Sequence, residues 1–274
     1  MRIVPPIVPC IVLILLMQCV VVLRAEESLH KQERRPPTPL KVLDRYMDTI
    51  EVGLPQKVRG ALARIPDKRR RLAAMKYYLR RSEQEIERKW AWTAEEARIY
   101  RTSPEYFRAM DEIARIKAAF SGLNPGYRLA VDMEIRSLGS QIGKWNSVRS
   151  IGLVAQELMA ASLAFIADSL TTQDSGVVVN GLDRFIPFLR EFKPKNVPTV
   201  AVPGLSQHGQ LRAFDFRIMR GGRVVAGAST RTISSAWDQA GWTARLCQAI
   251  EAASGRFEGP LAEPYEPWHY EYRP

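Results

Sequence analysis

The sequence predicts an α+β fold, a small and mainly antiparallel sheet flanked by helices and preceded by a basic helical region. Three observations carry that prediction. Apolar residues recur at helical spacing before residue 120, as Leu72, Met75, Leu79 and Ile86 do. Apolar runs flank the pair Gly221-Gly222, a hairpin signal. Strand-like stretches after residue 120 are short and do not alternate regularly with helices, as a parallel α/β sheet would require.

In chain order, residues 1–25 hold one Arg and then an apolar run from Ile3 to Val22, which reads as a signal peptide ending near Ala25 or as an uncleaved membrane anchor. Either places the rest of the chain outside the cytoplasm, in the periplasm or beyond. Residues 26–55 contain KQERRPPTPL and are expected to be an extended tether. Residues 56–120 form the basic helical region, with Thr93-Ala-Glu-Glu96 as a capping box and Ser103-Pro104-Glu105 as a further helix start.

Residues 121–274 are read as the functional domain. Ser121 to Gly126 is a loop, and Tyr127 to Ile135 a strand. A helix is expected from about Ser147 to Leu170. A connection of roughly thirty residues then carries Pro187, Pro194, Pro198 and Pro203, long enough to be functional. Strands follow at Arg212 to Met219 and Val224 to Gly227, a helix at Ser235 to Ala253, and a last strand at Trp268 to Tyr272.

At 274 residues and 46% apolar, the chain can build a sizeable core. Cys10 and Cys19 fall in the targeting segment. Cys247 is then alone, forms no intramolecular disulfide, and reads as a small buried hydrophobe. The net charge of +11 is concentrated in Lys57 to Lys89, where twelve Lys or Arg face four acids. That run is a solvated helix face or a surface attracted to anionic lipid or cell wall. No nucleic-acid module accompanies it, and no nucleic acid is expected as a partner.

The chemistry concentrates in SQHGQLRAFDF (206–216) and EPWHYEY (266–272), which hold two of the chain's three histidines. His30 lies in the tether. Two imidazoles and a carboxylate, His208, Asp215 and His269, are the ligand set of an open zinc site. Alternation at Ala213 to Phe216 turns Asp215 to one sheet face and Phe214 and Phe216 to the other, with His208 folded over from a preceding loop. If the last strand neighbours this one, all three converge on one ion. Zinc lowers the pKa of a bound water from about 15.7 to about 7, roughly 12 kcal/mol of help to deprotonation. Glu266 is the carboxylate placed to take that proton, and an Arg is the natural partner of a developing oxyanion. A bare His-Asp pair is commonly structural. Two separate His, each with a carboxylate nearby in so His-poor a chain, favour the metal.

These segments resemble the zinc signature of the VanY-type D-alanyl-D-alanine carboxypeptidases and their endopeptidase relatives, S-x-H-x-x-G-x-A-x-D followed by E-x-W-H. The resemblance covers about residues 122–274. It implies one zinc ion on His208, Asp215 and His269, with Glu266 as base. It also implies that Arg136, in Arg136-Ser-x-x-x-Gln141, binds the substrate carboxylate or carbonyl oxygen, with Gln141 and Ser206 positioning substrate. Leu211 stands where the family has Gly, so the backbone there is expected to resist a positive φ. The expected activity is removal of terminal D-alanine from peptidoglycan stem peptides. Two alternatives stay open, an endopeptidase on the same fold and a non-catalytic wall-binding protein with a structural zinc.

Overall fold

The computed structural model describes residues 37–171 and 177–274. The segment expected to be a signal or anchor lies outside them, as do Cys10, Cys19 and His30. Helices come first: α1 (Pro39–Val52), α2 (Gln56–Leu62), α3 (Lys68–Leu79), α4 (Glu83–Lys89), α5 (Ala94–Tyr100) and α6 (Pro104–Leu123). Then follow β1 (Tyr127–Asp132), α7 (Leu138–Ser147), α8 (Arg149–Thr171) and α9 (Val177–Glu191). The chain ends with β2 (Ala213–Arg220), β3 (Arg223–Ala226), α10 (Trp242–Ala253), β4 (Phe257–Glu258) and β5 (His269–Tyr272). This is the expected α+β class, with a five-stranded antiparallel sheet among the described residues.

Local chemistry explains the helix boundaries. Thr93 and Glu96 form the expected capping box at α5, and Ser103 caps α6 with Pro104 in its first turn. Residues 39–52, expected to belong to an extended tether, are helical. Thr38 caps α1 and Pro39 opens it, while Val42, Leu43, Tyr46, Met47 and Ile50 give it a buried face. That apolar periodicity overrides the prolines just before it.

A second departure lies in the proline-containing connection. Residues 177–191 are helical with Pro187 inside, although proline removes one amide donor from the helix ladder. Phe185 and Leu189 are fully buried, and Phe188 stacks on Phe165 with ring centroids 4.5 Å apart. Burying such side chains contributes roughly 1.5–3 kcal/mol each, enough to outweigh the missing bond. Among the described residues of this connection, irregular chain runs over 192–206, which carry Pro194, Pro198 and Pro203. The helix expected from Ser235 instead begins as a wide turn at Ile233–Asp238, breaks at Gly241 (φ +70°) and restarts as α10. The first strand likewise stops at Asp132 rather than Ile135.

Buried side chains gather in two clusters. One joins α1 to α4 with Trp145 of α7, α8, α9 and Val202; the other joins α6, the sheet and α10. The expected boundary between 120 and 121 therefore runs through the second cluster. Among the described residues α8 is the one helix long and apolar enough to cross a membrane. In this fold Ile151, Val154, Ala155, Leu158 and Ile166 are buried from it. Arg70 binds the carbonyls of Trp145 (2.5 Å) and Val148 (3.0 Å), and Arg71 binds that of Ile65, so part of the basic run holds helix ends together. Cys247 is half-buried rather than enclosed, with its sulfur 3.2 Å from the Tyr270 hydroxyl.

Sheet order is β1-β2-β5-β4, with β3 returning along β2 from the Gly221-Gly222 turn. Both turn glycines have positive φ, as a tight hairpin requires. Phe214, Phe216 and Ile218 enter the second cluster, leaving Asp215 on the opposite face. In the β2–β5 ladder Asp215 lies directly opposite His269.

Candidate metal centre

His269 and Asp215 meet because a cross-strand pair brings Cβ atoms within about 5.5 Å on one sheet face. His208 arrives from a single 3-10 turn, Gln207–Gln210, immediately before β2. Returning from that turn to the strand requires a left-handed residue, and Leu211 supplies it at φ 52°. The expectation that Leu would resist a positive φ is thus corrected. Its side chain is buried, which offsets a strain of order 1 kcal/mol.

The turn is fastened on several sides. Arg136 N–H donates to the His208 carbonyl (3.2 Å), and Trp92 N–H donates to that of Gly209 (2.9 Å). Ala91 N–H donates to the Gly204 carbonyl (2.7 Å), and Gln210 donates from its side chain to the carbonyls of Arg88 and Trp90. Gly209 has no room for a side chain, since a Cβ there would lie 2.7 Å from the Ala91 Cβ and from Gln141 Nε2.

Three donor atoms come together. His208 Nε2 lies 3.2 Å from His269 Nδ1 and 3.4 Å from Asp215 Oδ1, and His269 Nδ1 lies 3.2 Å from Asp215 Oδ1. All three residues are buried, and the group could hold a metal ion. Glu266 Oε2 stands 3.8 Å from His269 Nδ1, outside this triangle. Glu271 Oε1 stands 4.0 Å from the other ring nitrogen of His269. A carboxylate behind the imidazole is an arrangement that fixes ligand orientation.

The electrostatics follow from burial and neighbours. Burial alone would raise Asp215, but hydrogen bonds to both imidazoles and the charges of His208 and Arg136 hold it well below the usual carboxylate range. His208 is pushed down, chiefly by burial. Burial would also lower His269, yet Asp215 and Glu271 overcome it and raise the imidazole to about 9. Glu266 is raised, first by burial and then by repulsion from Asp215.

The residues expected to handle substrate are differently engaged. The Arg136 guanidinium pairs with Asp215 Oδ2, so it orients the candidate ligand as well as facing the cleft. Gln141 is buried. Its Nε2 donates to the Arg136 carbonyl (2.7 Å) and its Oε1 accepts from Gly204 N–H (2.9 Å), which makes it a brace between the two loops. Ser206 lines the cleft and precedes the His208 turn, with no side-chain capping bond; its carbonyl accepts from Gly209 N–H (2.8 Å).

A cleft of about 540 Å³ opens over His208, His269 and Glu266. Residues 198–202 and 205–207 form one wall, so part of the proline-containing stretch borders the cleft. Three features escaped sequence reasoning. Lys144, eight residues after Arg136, lines the cleft with no carboxylate within 4.0 Å among the described residues. Glu271 sits two residues past His269, on the same strand face, a period-2 signal that was available. The third is the contribution of Tyr77, Arg80, Arg81 and Lys89 from the basic region. Comparison with protein-family models, curated proteins and solved structures found no match.

Proposed function

We propose that this chain is a zinc metallopeptidase of the cell envelope that hydrolyses peptidoglycan stem peptides, with terminal D-alanine as the leaving group. The observation that carries the reading is the buried triangle of His208, Asp215 and His269 with edges of 3.2–3.4 Å. Ligands about 2.0–2.1 Å from a tetrahedral zinc ion lie about 3.3–3.4 Å from one another, so the donors fit that ion, and their two-nitrogen, one-oxygen chemistry suits it. When bound, zinc would act as a Lewis acid and lower the pKa of a coordinated water.

The chain's own residues divide the remaining work. Glu266 Oε2 lies beside the triangle without belonging to it, and its raised pKa suits a group that takes a proton from water and returns it to the departing amine nitrogen. Hydrolysis then adds water across the C–N bond, leaving a carboxylate and a free amine. Arg136 fixes Asp215 through Oδ2, and the rest of its guanidinium, partly open to the cleft, faces the substrate carbonyl oxygen. Gln141 holds the backbone of Arg136 in place. The neighbouring Lys144 supplies a second cation for the free carboxylate of the peptide.

The test is release of D-alanine from a stem pentapeptide by the zinc-loaded chain, with and without chelator. Glu266→Ala should retain zinc and lose hydrolysis, whereas His208→Ala should lose both. Full activity of a folded Glu266→Ala protein would refute the assigned base. Fragments released from whole peptidoglycan without free D-alanine would instead mark an endopeptidase.

A further inference from the structure

We propose that the helical wall of the cleft is a subsite for a carboxylate that the substrate carries away from the scissile bond, held by Arg80 and Lys89. Resting on the peptidase reading, this subsite deepens it by naming a substrate class, an acidic peptide. Arg80, Arg81 and Lys89 line the same cleft as His208, His269 and Glu266, although they come from the end of α3 and from α4. Arg81 has a partner in Glu85 at 3.6 Å. Neither Arg80 nor Lys89 has a carboxylate within 4.0 Å among the described residues.

Lys89 lines the cleft together with Glu271, whose Oε1 lies 4.0 Å from His269 Nε2. Arg80 also lines a second hollow of about 310 Å³, where Arg190 and Lys193 outnumber Glu191. Arg80 and Lys89 each stand at the C-terminal end of a helix, where the dipole favours a cation, but the dipole gives no reason for two helices to turn those cations into one cleft. Membrane or wall surfaces present charge to convex faces, whereas these cations line a concavity continuous with the metal centre. A guanidinium and an ammonium with no carboxylate within 4.0 Å among the described residues, in a groove they share with the candidate metal centre, match a carboxylate on an extended peptide.

The test uses the full chain loaded with zinc and two stem-type peptides ending in D-alanyl-D-alanine, one with Glu and one with Gln upstream. The wild type should favour the Glu peptide by about tenfold, in KM rather than kcat, at low salt. The double variant Arg80→Gln/Lys89→Gln should lose that preference and keep its kcat on the Gln peptide. Equal KM values in the wild type, or a preference that survives in the double variant, would overturn the subsite. Calorimetric titration of both peptides separates this outcome from failure of the peptidase reading. With no hydrolysis at all, tighter binding of the Glu peptide by the wild type alone still supports the subsite, and equal binding overturns it. Inorganic polyphosphate that binds more tightly than the Glu peptide, and loses its binding in the double variant, would reassign the groove to phosphate polymers and overturn the peptide assignment.

Discussion

Loading the candidate metal centre should expel one proton from His269, in addition to any lost by a coordinated water. In the metal-free chain this imidazole titrates at about 9, because Asp215 and Glu271 overcome the effect of burial. At pH 7 it is about two units below that value and therefore about 99% protonated. A metal ion needs the neutral ring, so binding at pH 7 must displace the proton at a cost of about 2.7 kcal/mol, roughly a hundredfold in apparent affinity. His208 is held below its ordinary value by burial, and Asp215 far below its own, so neither has a proton to give. Zinc affinity should consequently rise at least tenfold per pH unit from 6.5 upward, with the His269 contribution levelling off near 9. Calorimetric titration of the metal-free full chain in buffers of different ionisation enthalpy counts the released protons, and competition with a buffered chelator gives the slope. Glu271→Gln should lower the plateau. A flat affinity between pH 6.5 and 8.5, or release near zero at pH 7, would refute the geometry assigned to His269.

The same imidazole sets how the metal-free chain responds to alkali. A histidine whose folded value exceeds its ordinary 6.5 stabilises the fold fully below that pH and loses the contribution as pH rises to about 9. The metal-free chain should therefore lose at most about 3.4 kcal/mol of stability between pH 6.5 and 9.5, read as a falling melting temperature, and zinc should suppress the loss. Gly209→Ala should destabilise the chain by about 1–3 kcal/mol and weaken zinc binding in a chelator competition, because the new Cβ meets Ala91 and Gln141. Leu211→Gly relieves a left-handed φ but empties a buried site, and the cavity should win by about 1–3 kcal/mol in denaturant unfolding. A more stable glycine variant would mean that backbone strain dominates there.

Period-2 alternation around Asp215 separated it from Phe214 and Phe216, and the Gly221-Gly222 pair marked the hairpin, so the sheet was legible locally. That β5 pairs with β2, placing His269 opposite Asp215, followed only as a condition. Long-range pairing leaves no local pattern. Prolines misled twice, before α1 and inside α9, where apolar faces packed on distant helices outweighed local chain preference. Arg136, Gln141 and Ser206 could be singled out by type and spacing. Their partners could not, because Arg136 reaches Asp215 and Gln141 reaches Gly204 across loops that sequence does not orient. Arg80 and Lys89 escaped for the same reason, since a charge on a helix does not announce which turn faces a groove.

The short link between α4 and α5 has a consequence for how the molecule can be divided. Ala91 and Trp92 clasp the loop that presents His208, and Gln210 reaches back to the carbonyls of Arg88 and Trp90. A fragment beginning at residue 121 would therefore keep every candidate metal donor and lose the stitching that aims one of them. The basic helices are a splint for the centre, and any shortened version meant to keep it intact has to retain that seam.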